Sequence, residues 1–312
     1  MKAVRYHQYG GSDVLVYEEA ERPTPSEGQV LVEVAGTTFN PVDIGIRTGA
    51  LREVFAVECP HIPGIDVAGT IAELGDGVDG WRVGDAVVAF LPMNADGAAA
   101  DYVVAPADTL ATAPRTVELA DAAALPVGGL TAWQALFDLA SLRAGQTTLI
   151  NGAGGAVGGY AVQLAHQAAA RVTATASHRH AARLRRDGAD RIIGYLDHGN
   201  DPLTAEGAPF DVVVNLVATT PEETAALADL VADGGALVST TTPPPEDPGR
   251  GIRTARVFVL SRADQLAELV TRVDRGELRI DVAARRPLSD LPAVHDEAAT
   301  GRLAGKTVLT PA

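Results

Sequence analysis

The stretch Thr147–Ala165, TTLINGAGGAVGGYAVQLA, sets a short β-branched run against a cluster of glycines and then an alanine-rich amphipathic segment. The first part predicts a buried strand over Thr147–Asn151, and the last a helix starting near Val157. Ala153, Gly155 and Gly158 stand at the spacing of the dinucleotide fingerprint G-x-G-x-x-G, with alanine in the first place. Gly155 would let the backbone approach a pyrophosphate, and Gly158 would let the helix pack close to the strand. The helix start offers free amides and a favourable dipole. A glycine run by itself also suits a hinge. Context favours the cradle, because strand, turn, helix and a second strand, RVTATAS over Arg171–Ser177, fall within the roughly 30 residues of a βαβ unit.

The carboxylate that holds a ribose 2′-hydroxyl is expected at the end of that second strand, about 20 residues past the glycines. Instead the chain reads SHRHAARLRR from Ser177 to Arg186, with no acid among them. Ser177 and Arg179 suit a 2′-phosphate, which a guanidinium binds through paired, charge-assisted hydrogen bonds. This pattern points to NADPH rather than NADH; the plainer alternative is an exposed basic helix start.

Outward from this unit the two halves of the chain differ in texture. The first 120 residues read as short strands (KAVRY, VLVYEEA, VLVEVAG, VAGTIAELG, DAVVAF) divided by Gly, Pro and Asp clusters, which predicts an all-β, barrel-like region without long helices. From about Asp121 apolar helical segments alternate with the runs TTLIN, RVTATAS, DRIIG, FDVVVNLV and GALVSTT, the rhythm of a parallel sheet. A strand ARVFVL and a helix ADQLAELVTRVDRGEL follow, and the chain ends in a helix and a strand able to rejoin the first region. The fold class is therefore α/β, with a β-rich domain over 1–121 completed by 259–312 and a doubly wound parallel-sheet domain over 122–258.

Hydrophobic residues make up 46% of the 312 and charged ones 21%, the profile of a globular chain. The net charge of −15 argues against nucleic-acid partners. No apolar run approaches the roughly 18 residues of a membrane span, and MKAVRYHQYG lacks a signal-peptide core, so a cytoplasmic location without a membrane partner is expected. Cys59 is the single cysteine, which rules out an intrachain disulfide and a zinc site built from thiolates.

Nearly end to end, the chain resembles the zinc-independent quinone oxidoreductase branch of the medium-chain dehydrogenase/reductase superfamily. The likeness is carried by MKAVRYHQYGGSDVL, TTFNPVDIGIRTG, PHIPGIDVAGTIAELGDGVDGWRVGDAVVAF, DYVVAPADTLATAP, AAALPVGGLTAWQAL, NGAGGAVGGYAVQLA and GRLAGKTVLTP. It implies a GroES-like catalytic domain, a Rossmann domain and NADPH as the hydride source for a quinone or an α,β-unsaturated carbonyl, in a homodimer. Asn40 and Thr131 would face the nicotinamide and substrate. Gly155, Ala156 and Val157 would hold the pyrophosphate, and Ser177, Arg179 and Tyr195 the adenosine phosphate. Val217, Ser239 and Val259 would line the nicotinamide half, with Lys306 a further contact.

The zinc-ligand places of the superfamily correspond to Asn40 and Ile65, so no metal is expected. Relatives often carry a tyrosine where Gly45 stands, which leaves the proton donor open. The adjoining loop ALREVFAVECPHIP is unlike the usual short one. Within it His61 is either a substrate contact or a loop histidine, and Cys59 a reactive or a small buried thiol. Arg47 is either a ligand for an acidic substrate group or a solvated charge. Asp43 and Asp66 are read as organising turns, and Tyr102 as strand packing. Two other functions stay open: an enoyl-thioester or biosynthetic tailoring reductase of one enone or quinone, and an NADPH-binding sensor with little turnover.

Overall fold

A computed structural model describes residues 1–312. Strands β1 (Lys2–Arg5) and β2 (Val16–Glu19) pair antiparallel at the start of the chain. The long strand β3 (Gln29–Thr38) leads directly into helix α1 (Pro41–Arg47), followed by β4 (Asp66–Leu74), β5 (Ala86–Phe90), β6 (Tyr102–Pro106) and β7 (Leu110–Thr112). Two short helices, α2 (Leu119–Ala122) and α3 (Pro126–Trp133), come next. Val30, Val32, Val67, Ile71, Val87 and Val103 alternate inward from these strands and form one core.

The chain then enters a parallel sheet: β8 (Thr147–Asn151), α4 (Ala156–Gln167), β9 (Arg171–Thr175), α5 (Ala181–Arg186), β10 (Arg191–Ile193), β11 (Phe210–Asn215), α6 (Pro221–Ala226), β12 (Val231–Ser239) and β13 (Arg253–Arg256). The spatial order β10-β9-β8-β11-β12-β13 is the doubly wound order, with its switch point between β8 and β11. Leu149, Val213, Leu237 and Phe210 are fully buried, as expected of strands covered on both faces.

The last segment supplies α7 (Ala263–Asp274), β14 (Ala284–Pro287), α8 (Leu291–Ala299) and β15 (Thr307–Thr310). β15 inserts between β14 and β3 and completes a seven-stranded sheet ordered β14-β15-β3-β4-β5-β7, with β6 also on β3. A second core, of Tyr6, Phe39, Ile46, Ile62, Leu291, Val294 and Leu309, joins the N-terminal strand, α1 and α8. The chain thus folds as two units, Met1–Val127 with Ser261–Ala312, and Gly128–Leu260. No helix is long and apolar enough to cross a membrane.

Two expectations about the elements are corrected. The region up to residue 120 is not all-β, because α1 interrupts it. Pro41 sits in the first turn with its fixed φ, and the Asp43 carboxylate accepts the Asn40 amide at 2.7 Å, which starts a helix too short for apolar periodicity to reveal. The strand expected from ARVFVL is also displaced: β13 covers Arg253–Arg256, and Phe258 and Leu260 beyond it are 61% and 60% exposed.

Candidate functional site

In the parallel-sheet unit, the C-terminal ends of β8, β9, β11 and β12 are tied by one polar network. Thr175 Oγ1 donates to Asn151 Oδ1 at 2.7 Å, and Asn151 Nδ2 donates to Asn215 Oδ1 at 2.9 Å. Asn215 Nδ2 in turn reaches Thr219 Oγ1 at 3.0 Å and Ser239 Oγ at 3.4 Å. The network fixes the crevice at the switch point, where ligands of open α/β sheets bind.

The glycine turn is pinned to this frame by Gly152 N–H on Thr175 Oγ1 (2.8 Å) and Ala153 N–H on Thr175 O (3.0 Å). A Cβ on Gly158 would stand 2.5 Å from Ala153 Cα, so the helix packs against the turn as closely as glycine permits. A Cβ on Gly155 would meet nothing nearer than Gly152 O at 3.7 Å, so this side of the turn is open to a ligand backbone. The amides of Ala156 and Val157 precede the first helical bond, Gly159 N–H to Gly155 O, and belong to the donors a helix start leaves over. Val217 packs on the same turn, its Cγ2 2.8 Å from where a Cβ on Gly152 would be.

Beyond β9, Ser177 Oγ is buried without a hydrogen-bond partner. Arg179 is exposed and its Nε donates to His180 Nε2 at 3.0 Å. The His180 ring lies against Gly154, and Arg183 Nη2 donates to Gly154 O at 2.8 Å. Arg183 and His180 thus clasp the glycine turn, a role the sequence analysis left unassigned. Tyr195 is 68% exposed, two residues past β10, the strand that pairs with β9. Thr131 is buried in α3, and the Gln134 side chain of the same helical segment exchanges two 2.9 Å bonds with the Leu260 backbone, next to Val259.

In the β-rich unit, the fully buried Asp66 carboxylate is the centre of a second network. Its Oδ2 accepts from Thr38 Oγ1, from Asn40 Nδ2 at 2.9 Å and from Lys306 Nζ at 2.9 Å, while Oδ1 accepts from Val127 N–H at 2.8 Å. Lys306 Nζ also donates to Asn40 Oδ1 at 2.8 Å, so both ends of the Asn40 amide are held. Lys306 itself is buried, and its ammonium is engaged in orienting Asn40. Burial pushes the Asp43 carboxyl up to about 7, against the lowering effects of the Asn40 amide and Lys306.

Arg47 is 4% exposed, which excludes a solvated charge; Nη1 donates to Gly10 O at 2.7 Å, Nε has no partner, and burial lowers its pKa. His61 is also buried, with Nδ1 3.3 Å from Asp96 Oδ1. Cys59 is exposed, contrary to the buried reading. At Gly45 the space a side chain would need is filled by Leu51, whose Cδ1 would stand 2.6 Å from a Cβ there. Tyr102 lies in β6 with the Arg22 guanidinium over its ring at 4.6 Å.

Residues 26–115 match the family model of the alcohol dehydrogenase GroES-like domain, and residues 188–309 that of zinc-binding dehydrogenases. The chloroplast envelope quinone oxidoreductase homolog of Arabidopsis thaliana is 31% identical over 326 residues, covering 100% of this chain and 98% of the relative. The chloroplastic NADPH-dependent alkenal/one oxidoreductase of Arabidopsis thaliana is also 31% identical, over 100% of this chain and 80% of its own length. The solved quinone oxidoreductase from Coxiella burnetii superposes with a TM-score of 0.87 at 29% identity, covering 100% of this chain and 99% of that one. The chain belongs to the medium-chain dehydrogenase/reductase superfamily, with the quinone oxidoreductases.

As a member of that superfamily it is an oxidoreductase that takes an NAD(P)-type cofactor and a small-molecule substrate. The open face at Gly155, the free amides of α4 and the unpartnered Ser177 hydroxyl fit such a dinucleotide. The zinc in the second family model's name finds no matching donors. No three His, Cys, Asp or Glu side chains come together, Ile65 is apolar, and Asn40 is bonded at both ends. Besides Arg183 and His180, Tyr6 and His295 are site-region residues without a sequence signal, both buried close to α1. His295 lies edge-on to Phe39 with ring centroids 4.9 Å apart, and burial lowers its pKa to about 3.

Proposed function

We propose that the chain is a zinc-independent, NADPH-dependent reductase of quinones or α,β-unsaturated carbonyls. The observation that carries the cofactor choice is the buried, unpartnered Ser177 hydroxyl, set in a stretch from Ala176 to Arg186 that holds four arginines, two histidines and no acid. A buried hydroxyl without a partner is costly unless a ligand completes it, and a 2′-phosphate oxygen is an acceptor of the right charge for this cluster. The pyrophosphate falls to Gly155, Ala156 and Val157, with Arg183 and His180 holding the turn. Thr131, Val217, Ser239 and Val259 serve the nicotinamide half, and Tyr195 the adenosine side.

Bound NADPH supplies the hydride. The chain's own residues orient: the amide of Asn40, fixed by Asp66 and Lys306, cannot rotate, and it presents one geometry to the substrate. Conjugated acceptors suit a site without a Lewis acid, since charge developing on a remote oxygen is met by hydrogen bonds. A homodimer is the expected assembly, supported by the edge position of β13 and the exposed Phe258 and Leu260 just past it.

Fluorescence titration with NADPH and NADH tests the cofactor, and NADPH oxidation across a panel of quinones and enones tests the reaction. Arg179→Asp is expected to weaken NADPH by about 1.5–3 kcal/mol, the scale of a charged hydrogen bond, with NADH unaffected. Tight NADH binding without NADPH binding would overturn the proposal.

A further inference from the structure

A cavity inside the β-rich unit is bordered by Tyr6, Asp43, Ile46, His61, Gly64 and Ile65, and has room for about one water molecule. Tyr6 is fully buried, yet its hydroxyl has no partner. An unpaired buried hydroxyl lowers stability unless a group in the cavity completes it, so Tyr6 is placed to exchange a hydrogen bond across this space. The Tyr6 ring is held firmly, through two backbone hydrogen bonds with His61 (3.0 and 2.9 Å) and an edge-on contact with the His61 ring at 5.3 Å.

His61 connects this interior to solvent. Its side chain is 6% exposed, and Nδ1 lies 3.3 Å from the carboxylate of Asp96, which is 59% exposed. Asp43 also borders the cavity, and its Oδ2 accepts the Asn40 backbone N–H at 2.7 Å. The surface carboxylate of Asp96 thus contacts the buried imidazole of His61, and that imidazole, the Tyr6 phenol and the Asp43 carboxyl border one cavity with room for a bridging water, while Asp43 holds the Asn40 backbone.

We propose that Asp96, His61, Tyr6 and Asp43 form a proton relay that delivers a proton through this cavity to the Asn40 end of the unit. The proposal rests on the reductase reading, in which NADPH, one proton and a quinone give NADP⁺ and a hydroquinone. An O–H bond forms on the acceptor oxygen, the last donor of the relay loses its proton, and water at Asp96 restores it. The charged and titratable groups around the relay are Cys59, Tyr9 and Arg47 beside Tyr6, Asp96 beside His61, and Lys306 and Asp66 beside Asp43. A carboxyl poised at about 7 exchanges protons readily near neutrality, whereas burial first of all keeps the Tyr6 phenol protonated and a donor. The relay would stand in for the tyrosine whose place Gly45 and Leu51 fill.

Tyr6→Phe in the full chain is the test, because the hydroxyl makes no hydrogen bond to another side chain or to the backbone and faces only the cavity. A structural role predicts unchanged kcat and an unchanged or raised melting temperature. The relay predicts a fall in kcat on the order of a hundredfold, a larger solvent deuterium isotope effect and a displaced kcat–pH profile, with NADPH affinity and melting temperature intact. His61→Gln should change the same three kinetic readouts. In the cofactor-free chain, the infrared carbonyl band assigned by its loss in Asp43→Asn should shift in Tyr6→Phe. An active wild type with unaltered Tyr6→Phe kinetics overturns the relay alone. A wild type that oxidises no NADPH with any acceptor overturns the reductase reading, and the infrared shift then decides the relay by itself, an unmoved band overturning it.

Discussion

Asp43 and His295 are buried in the same core region and shifted toward the neutral form, one upward to about 7 and the other downward to about 3. Their linkage to stability has opposite signs. The native state holds the Asp43 proton more tightly than the unfolded chain, so its contribution is full below about 4 and lost as pH rises to about 7. The unfolded chain instead takes up a proton at His295 first, so that contribution is full above about 6.5 and lost as pH falls toward 3. Urea unfolding of His295→Leu between pH 6.5 and 4 should lack this loss, worth roughly 1.4 kcal/mol per pH unit, and leave the Asp43 slope exposed. A profile parallel to wild type would refute the assignment. Asp43 reads from the sequence as a turn organiser but its burial does not, and His295 gives no sign at all: a histidine in PAVHDEAA carries no local mark of burial, because Phe39, which it packs against, is more than 250 residues away. Ser177 and Arg179, by contrast, can be proposed from the sequence because the glycine turn and the strand end that carry them belong to one continuous βαβ unit.

The elements show the same division between local and distant causes. β8, α4 and β9 follow from β-branched runs, glycines and an apolar stripe within one short stretch, and the structure has all three where the pattern put them. The signal for α1 was also present, as Asn–Pro–x–Asp at Asn40–Asp43, but a seven-residue helix in a β-rich neighbourhood is decided by capping rather than by periodicity. Val257–Leu260 reads as strand by composition, yet after the Val257 N–H bond to Ser239 O at 2.9 Å no further pairing with β12 follows, so pairing, and not propensity, ends β13. Helix α4 offers a direct test. Gly158→Ala places a Cβ against the Ala153 backbone and should cost about 1–3 kcal/mol by displacing the helix from the turn. Dinucleotide affinity should fall with it, while Gly155→Ala, with nothing in its way, should leave the melting temperature nearly unchanged.

At the scale of the whole molecule, the β-rich unit is discontinuous in sequence and the parallel-sheet unit is not. Removing residues 301–312 would delete β15 from the interior of the seven-stranded sheet and Lys306 from its buried pair with Asp66. Leaving that carboxylate unpaired alone costs about 3–5 kcal/mol. The truncated chain should therefore lose the folded β-rich unit while Gly128–Leu260 keeps its protease resistance and far-ultraviolet signal; a single cooperative loss of both would show that neither unit stands without the other. The position of β15 also bears on how the chain is made. Residues 128–260 leave the ribosome complete, whereas β3, synthesised long before them, waits for its β15 neighbour until the last stretch emerges. During that interval the Thr37–Thr38 end of β3 lacks its neighbour and is an open template for other strands, so a chaperone acting on this protein has most to protect at a strand made early, not at the last one.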